Sequence, residues 1–190
     1  MTYLIELLRQ EHCNIEKLLC ALERELSVFD RGDRPDYEVL LAIIDYFKDY
    51  PDSCHHPKED MIFDKLTARD PAAAAKIGDL KVAHRQEAAR LNRVAQAIER
   101  VLADQDVVRE NVHNIIREFI DDERQHMALE EEIVFPAALD ALRPEDWTDI
   151  GRKLVSRDDP FYQAGFEEKF NRQRRNILNM EKEAEADRPA

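Results

Sequence analysis

Tyr3–Phe29 reads YLIELLRQEHCNIEKLLCALERELSVF. Its apolar residues Leu4, Leu8, Ile15, Leu19, Leu22 and Leu26 fall on a three- and four-residue rhythm, which lines one face of an α-helix and predicts a buried stripe. Asp30-Arg-Gly-Asp-Arg-Pro35 stops this helix, because a helix does not carry both the glycine and the proline onward. A second stripe of Leu40, Leu41, Ile44, Phe47, Ile62 and Leu66 predicts a helix from Asp36 to Ala68, kinked at Pro51 and Pro57. Asp70-Pro71 opens a third helix, expected to run to Ala103 with Ile77, Leu80, Leu91, Val94, Ile98 and Val101 inward and Gly78 as its weak point. After Asp104-Gln-Asp106, the residues Val112, Ile115, Phe119, Ile133, Val134 and Ala137 mark a fourth helix that ends near Leu142.

Four long helices with short loops pack antiparallel, so the fold class is all-α, an up-down-up-down four-helix bundle over residues 1–142. Residues 143–190 form a C-terminal helical extension: Trp147, Ile150 and Leu154 suit a short helix, Phe166, Phe170 and Ile177 a second, and Glu181 to Ala190 a frayed end. Glycine and proline together number 12 in 190 residues, about half the usual share, which fits helices rather than strands joined by tight turns. The net charge of −13 argues against a nucleic-acid partner, which needs a clustered basic surface. The longest apolar run, Ile133 to Leu139, is too short for a membrane span. Met1 to His12 carries no secretory pattern, and Cys13, Cys20 and Cys54 form no CxxC pair, so a cytoplasmic chain with reduced thiols is expected.

The histidines carry the chemistry. His12, His55, His84 and His126 each fall on the apolar stripe of a different helix, and so should point inward. Their heights also match. His12 lies 18 residues before Asp30 and His55 lies 19 after Asp36; His55 is 14 before Arg69 and His84 14 after Asp70; His84 is 20 before Asp104 and His126 20 after Asp106. At about 1.5 Å per residue, the four rings should meet within a few ångströms. His55-His-Pro-Lys-Glu59 and His126-Met-Ala-Leu-Glu130 add a glutamate one turn along the same face. The expected site is therefore His12, His55, Glu59, His84, His126 and Glu130. Carboxylates buried without a counter-ion cost several kcal/mol each, whereas two divalent cations satisfy them. Imidazole suits iron, copper or zinc, and carboxylates able to bridge two metals in a helical bundle favour iron or manganese; iron is the choice.

Other candidates read differently. His56 is turned about 100° from His55 and is expected behind the ligands or at the surface, with ligation as the alternative, and His113 is expected on the surface. Glu16, four after His12, suits a solvated position. Glu87 and Glu123 could approach the metals or line an access path. Cys13 and Cys54 are read as packing residues.

The segments Cys54-His-His-Pro-Lys-Glu-Asp60 and His126-Met-Ala-Leu-Glu-Glu-Glu-Ile-Val-Phe-Pro136, with single histidines in helices 1 and 3, resemble the hemerythrin-like, or HHE cation-binding, proteins over residues 1–142. In the extension, Pro144-Glu-Asp-Trp147 and Asp159-Pro160 are similar to bacterial members. The resemblance implies two iron ions, a non-haem oxo- or hydroxo-bridged di-iron centre, with the four histidines as terminal ligands and Glu59 and Glu130 as bridges. Oxygen-carrying members have a second histidine four residues after the one in helix 3, where this chain has Ala88. That departure implies an open coordination position suited to NO or reactive chemistry more than to reversible O2 carriage. The single-histidine helix 3 is closer to the iron-centre repair proteins, whose cysteine-bearing N-terminal domain has no counterpart in this sequence.

Two functions follow. One is a di-iron protein that binds O2, NO or peroxide for storage, sensing or delivery, with sensing requiring a partner protein or a homo-oligomer. The other is an enzyme in which the irons turn over NO or peroxide. A ferritin-like oxidase expects Glu-x-x-His on two helices; Glu123-Arg-Gln-His126 fits, but Lys81 stands where the second glutamate belongs.

Overall fold

A computed structural model describes residues 3–78, 80–156 and 164–188. Among the described residues all regular structure is helical: α1 Tyr3–Asp30, α2 Tyr37–Tyr50, α3 His56–Arg69, α4 Pro71–Ile77, α5 Leu80–Leu102, α6 Arg109–Leu129, α7 Phe135–Ala141, α8 Pro144–Ser156 and α9 Ala164–Ala186. A π turn, Pro51–His55, joins α2 to α3, and another, Glu130–Val134, joins α6 to α7. The four bundle members are α1, α2 running on into α3, α5, and α6 running on into α7. The side chains of Lys81 and Phe166 and the pair Asp159-Pro160 lie outside the described residues.

Local chemistry explains the boundaries. The Asp36 carboxylate accepts from the Glu38 and Val39 amides and starts α2, and Asp70 accepts from Ala73 N–H before Pro71 at the start of α4. The helix expected through Pro71–Ala103 is broken at Gly78, whose φ of +88° is a conformation that favours glycine. Pro51 and Pro57 do not end the second bundle member, because the i→i+5 turn absorbs Pro51 and Pro57 sits where no intrahelical N–H is required. In the last member, the π turn adds a residue to the register. Ile133, expected inward, is consequently 48% exposed, while Val134 and Phe135 take the buried positions.

The apolar interior is in two parts. One cluster gathers Ile15, Leu19, Leu22, Phe47, Leu91, Val94, Phe119 and Ile120, covered by Phe170 and Ile177 of α9. The other gathers Leu8, Ile62, Leu66, Leu80, Val134 and Phe135, covered by Ile150 of α8. Each bundle member passes from one cluster to the other, and His12, His55, His84 and His126 stand at the crossing. The stripes are thus interrupted by polar residues at one common level. In α9, Glu181 is buried against Arg24 and the helix continues to Ala186, so Glu181 to Ala186 do not fray. Arg69 donates to Asp146 at 2.7 and 2.9 Å, fixing the end of α3 to α8.

Candidate metal centre

Two cages lie side by side at the crossing. Ligand atoms of His12, His55, Glu59 and Glu130 lie within 4.8 Å of one another, and so do those of His56, Glu59, His84 and His126. Glu59 belongs to both. Its Oε1 is 2.9 Å from His55 Nε2 and 3.3 Å from His12 Nε2, while its Oε2 is 3.6 Å from His84 Nε2. Glu130 is splayed the same way, with Oε2 3.3 Å from His12 Nε2 and Oε1 3.2 Å from His126 Nε2. All six residues expected from the sequence therefore converge, each imidazole offering Nε2 to the centre.

The opposite ring nitrogens are held from outside. His12 Nδ1 donates to Glu131 at 2.9 Å and His55 Nδ1 to Glu11 at 2.7 Å. His56 Nδ1 donates to Asp52 at 3.1 Å, and His84 Nδ1 lies 3.4 Å from Asp60. Carboxylates in this position fix the tautomer, aim Nε2 inward and raise its basicity, as they do for metal-bound imidazoles generally. Glu11 is itself held by the buried Lys58 at 2.5 Å, and Lys58 reaches Glu167 of α9 at 3.3 Å.

The electrostatics are those of a cation site. Burial alone would push His12 down, but the negative carboxylates of Glu130 and Glu59 beside its Nε2 hold it up at about 10. Burial likewise opposes protonation of His55, and Glu59 and Glu11 overcome it to give about 9. Burial works to raise Glu59, yet the charge of His55 and the bonds from His12 and His55 keep it well below the carboxylate range. Even so, the buried atoms Glu59 Oε2, both Glu130 oxygens, His84 Nε2 and His126 Nε2 make no aligned hydrogen bond. Buried polar atoms are rarely left so. These orphaned atoms point at the space between the cages, and a donor set of neutral imidazole and carboxylate suits a divalent transition metal.

Of the places expected for His56, the surface is excluded. The residue is 6% exposed, not peripheral, and its ring stacks on His84 with centroids 3.8 Å apart. The helix is not regular there: the wider Pro51–His55 π turn, closed by His56 N–H to Pro51 O, narrows the angle between neighbours below 100°, so both rings stay inward, His55 in one cage and His56 in the other. Glu16 is half-exposed on Arg124, and His113 is half-exposed on Asp30, as their positions suggested. Glu87 accepts from His56 Nε2 at 3.1 Å. Glu123 is buried behind Glu87; burial first and the Glu87 charge second push it well above the carboxylate range. The outer partners Glu11, Glu131, Asp52 and Asp60 were missed. Asp52 and Asp60 stand four residues either side of His56, a spacing that could have shown them.

An inner cavity of about 110 Å³ adjoins the second cage, between His56, His84, Ala88, Phe47 and Leu91. A wider cleft of about 380 Å³ reaches the same rings past Asp52, Asp60, Arg85 and Ala88.

The family model described as Hemerythrin HHE cation binding domain matches residues 3–138, from the start of α1 to the middle of α7. Neither a curated protein nor a solved structure gives a significant match. No described helix is long and apolar enough to cross a membrane.

Proposed function

The chain belongs to the hemerythrin HHE cation-binding domain family, and we propose on that premise that it is a non-haem di-iron protein that binds or processes O2, NO or peroxide. His12, His55, Glu59 and Glu130 would hold one iron, and His84, His126, Glu59 and Glu130 the other. One observation carries this reading: Glu59 turns one oxygen to His12 and His55 and the other to His84, and Glu130 divides its oxygens between His12 and His126. A carboxylate that serves one metal has no need to be splayed between two sets of rings. Six donors spread over both cages are also too many for one tetrahedral zinc.

Bound iron would supply one-electron chemistry by passing between ferrous and ferric states. The chain's own residues hold the imidazoles by Nδ1, exclude bulk water from the His12 and His55 side, and admit ligands on the His84 side. The inner cavity of about 110 Å³ beside His56 and His84 has room for molecules the size of O2, NO or peroxide.

The test is metal quantitation with optical spectra of anaerobically purified protein, before and after O2, NO or peroxide is added. Two irons per chain and a ligand-dependent spectral change are expected. One metal per chain, or zinc alone after growth in iron-rich medium, overturns the reading.

A further inference from the structure

The second cage is short of an imidazole on α5, because the residue one turn after His84 is Ala88. A ring stands in that place from another helix. His56 stacks on His84 with an angle of 4° between the planes and stands nearly perpendicular to His126, at 86°. Its Nε2 is among the atoms that gather with Glu59, His84 and His126 within 4.8 Å. Its Nδ1 is held by Asp52, as His12 is held by Glu131 and His55 by Glu11. A histidine that only packs has no use for one nitrogen anchored to a carboxylate and the other aimed into a cage of unpaired donors.

The placement has a backbone cause. In a regular helix His55 and His56 would point about 100° apart, and one of them would leave the interior. The i→i+5 turn at Pro51–His55 lets each serve its own cage, with Glu59 four residues after His55 and three after His56 beneath both. Ala88 lines the inner cavity and the outer cleft together with His56 and His84.

We propose that His56 is a fifth imidazole ligand, delivered by the first π turn to the metal held by His84 and His126. The proposal rests on the di-iron reading above. It revises the expectation drawn from Ala88: the missing helix-3 imidazole is replaced from helix 2, and Glu87, bonded to the same Nε2 at 3.1 Å, is displaced from it when metal binds.

The experiment uses the full chain loaded with iron and three variants, His56→Ala, His56→Gln and His56→Ala/Ala88→His. Iron per chain, the rate of iron release to a strong chelator and the ferric optical spectrum are measured, with circular dichroism as the check on folding. In His56→Ala one of the two irons should leave at least about tenfold faster, the size of effect seen when metal-site partners are removed. The ferric spectrum should shift, and the double variant should recover both readouts because its new imidazole comes from one turn after His84. If His56→Ala does not fold, His56→Gln replaces it with the same expectation. Wild-type protein holding fewer than two irons defeats the di-iron reading itself. Two irons in the wild type, with unchanged release and spectrum in His56→Ala, leave that reading standing and overturn the fifth ligand. Release in the double variant as fast as in His56→Ala makes the loss one of packing and also overturns it.

Discussion

The two cages share Glu59, and Glu130 reaches from one into the other, but their surroundings differ. In the first, His12 stacks on Phe135 with ring centroids 5.6 Å apart, His55 stacks on Tyr50, and Glu11 and Lys58 are buried behind them. In the second, His84 and His56 stack on each other beside a cavity, Asp52 is exposed, and His126 keeps 14% of its side chain in solvent. The same residue types thus build one walled position and one that opens at Ala88. Under the di-iron proposal the contrast amounts to a division of labour, with the first cage holding and the second exchanging.

The largest effect should come from the residue the cages have in common. Glu59→Ala should lower metal content from two per chain to below one by elemental analysis, since it removes a ligand from both positions. Glu16→Ala, a change on the half-exposed Arg124 pair, should keep both metals. Equal losses in the two variants would break the assignment of the bridging carboxylates.

Next in size is the support of the first cage. Lys58 is buried between Glu11 and Glu167, and removing one partner of a buried ion pair costs about 3 kcal/mol or more. Lys58→Ala should lose roughly that amount in denaturant unfolding, and its metal loss should be confined to the first cage. An equally large loss on cutting Arg93 from the exposed Glu118 would show that the buried position brings nothing special.

A smaller, pH-dependent effect follows in the metal-free protein. His12 and His55 are held up at about 10 and about 9 against 6.5 for a free imidazole, by carboxylates that outweigh burial. A raised folded value stabilises the fold fully below 6.5 and loses that stabilisation as pH climbs through 9 to 10. The melting temperature of metal-free protein should therefore fall steadily between about pH 7 and pH 10. Metal-loaded protein should be nearly flat over that interval, because its ligand imidazoles are already deprotonated. A flat profile for both would mean that the carboxylates do not charge these rings.

The first cage was legible in the sequence and the second only in part. His12, His55, His84 and His126 could be brought to one level by counting residues to the loops, because regular helix has a fixed rise. Residues that depend on irregular helix could not. His56 and Ile133 both sit at π turns, which follow from tertiary packing and leave no periodic signal, so a regular-helix reading put one behind the ligands or at the surface and the other inside. Gly78 was marked as weak, but its positive φ decided that two helices form where one was expected. Glu11 and Glu131 were hidden for another reason: each adjoins a ligand or a bridging residue in sequence yet serves a ring on a different helix.

The smallest expected effect tests the difference between the cages most directly. If the second cage exchanges through the opening at Ala88, then narrowing that opening should slow traffic without changing the ligands. Ala88 is exposed and lines both the inner cavity and the cleft, so Ala88→Leu adds bulk where a small molecule must pass. Position 88 lies on α5, whose helical geometry leucine tolerates well, and the first cage lies on the far side of Glu59. Iron content and thermal stability should stay near wild type. The rate at which the ferrous protein takes up NO in stopped flow should fall by about three- to tenfold, a barrier increase of roughly 1 kcal/mol. Chelator removal of the second iron should slow in parallel while the first is unaffected. A variant that binds NO as fast as the wild type would place the path elsewhere, and would leave the cages unlike in structure but alike in access.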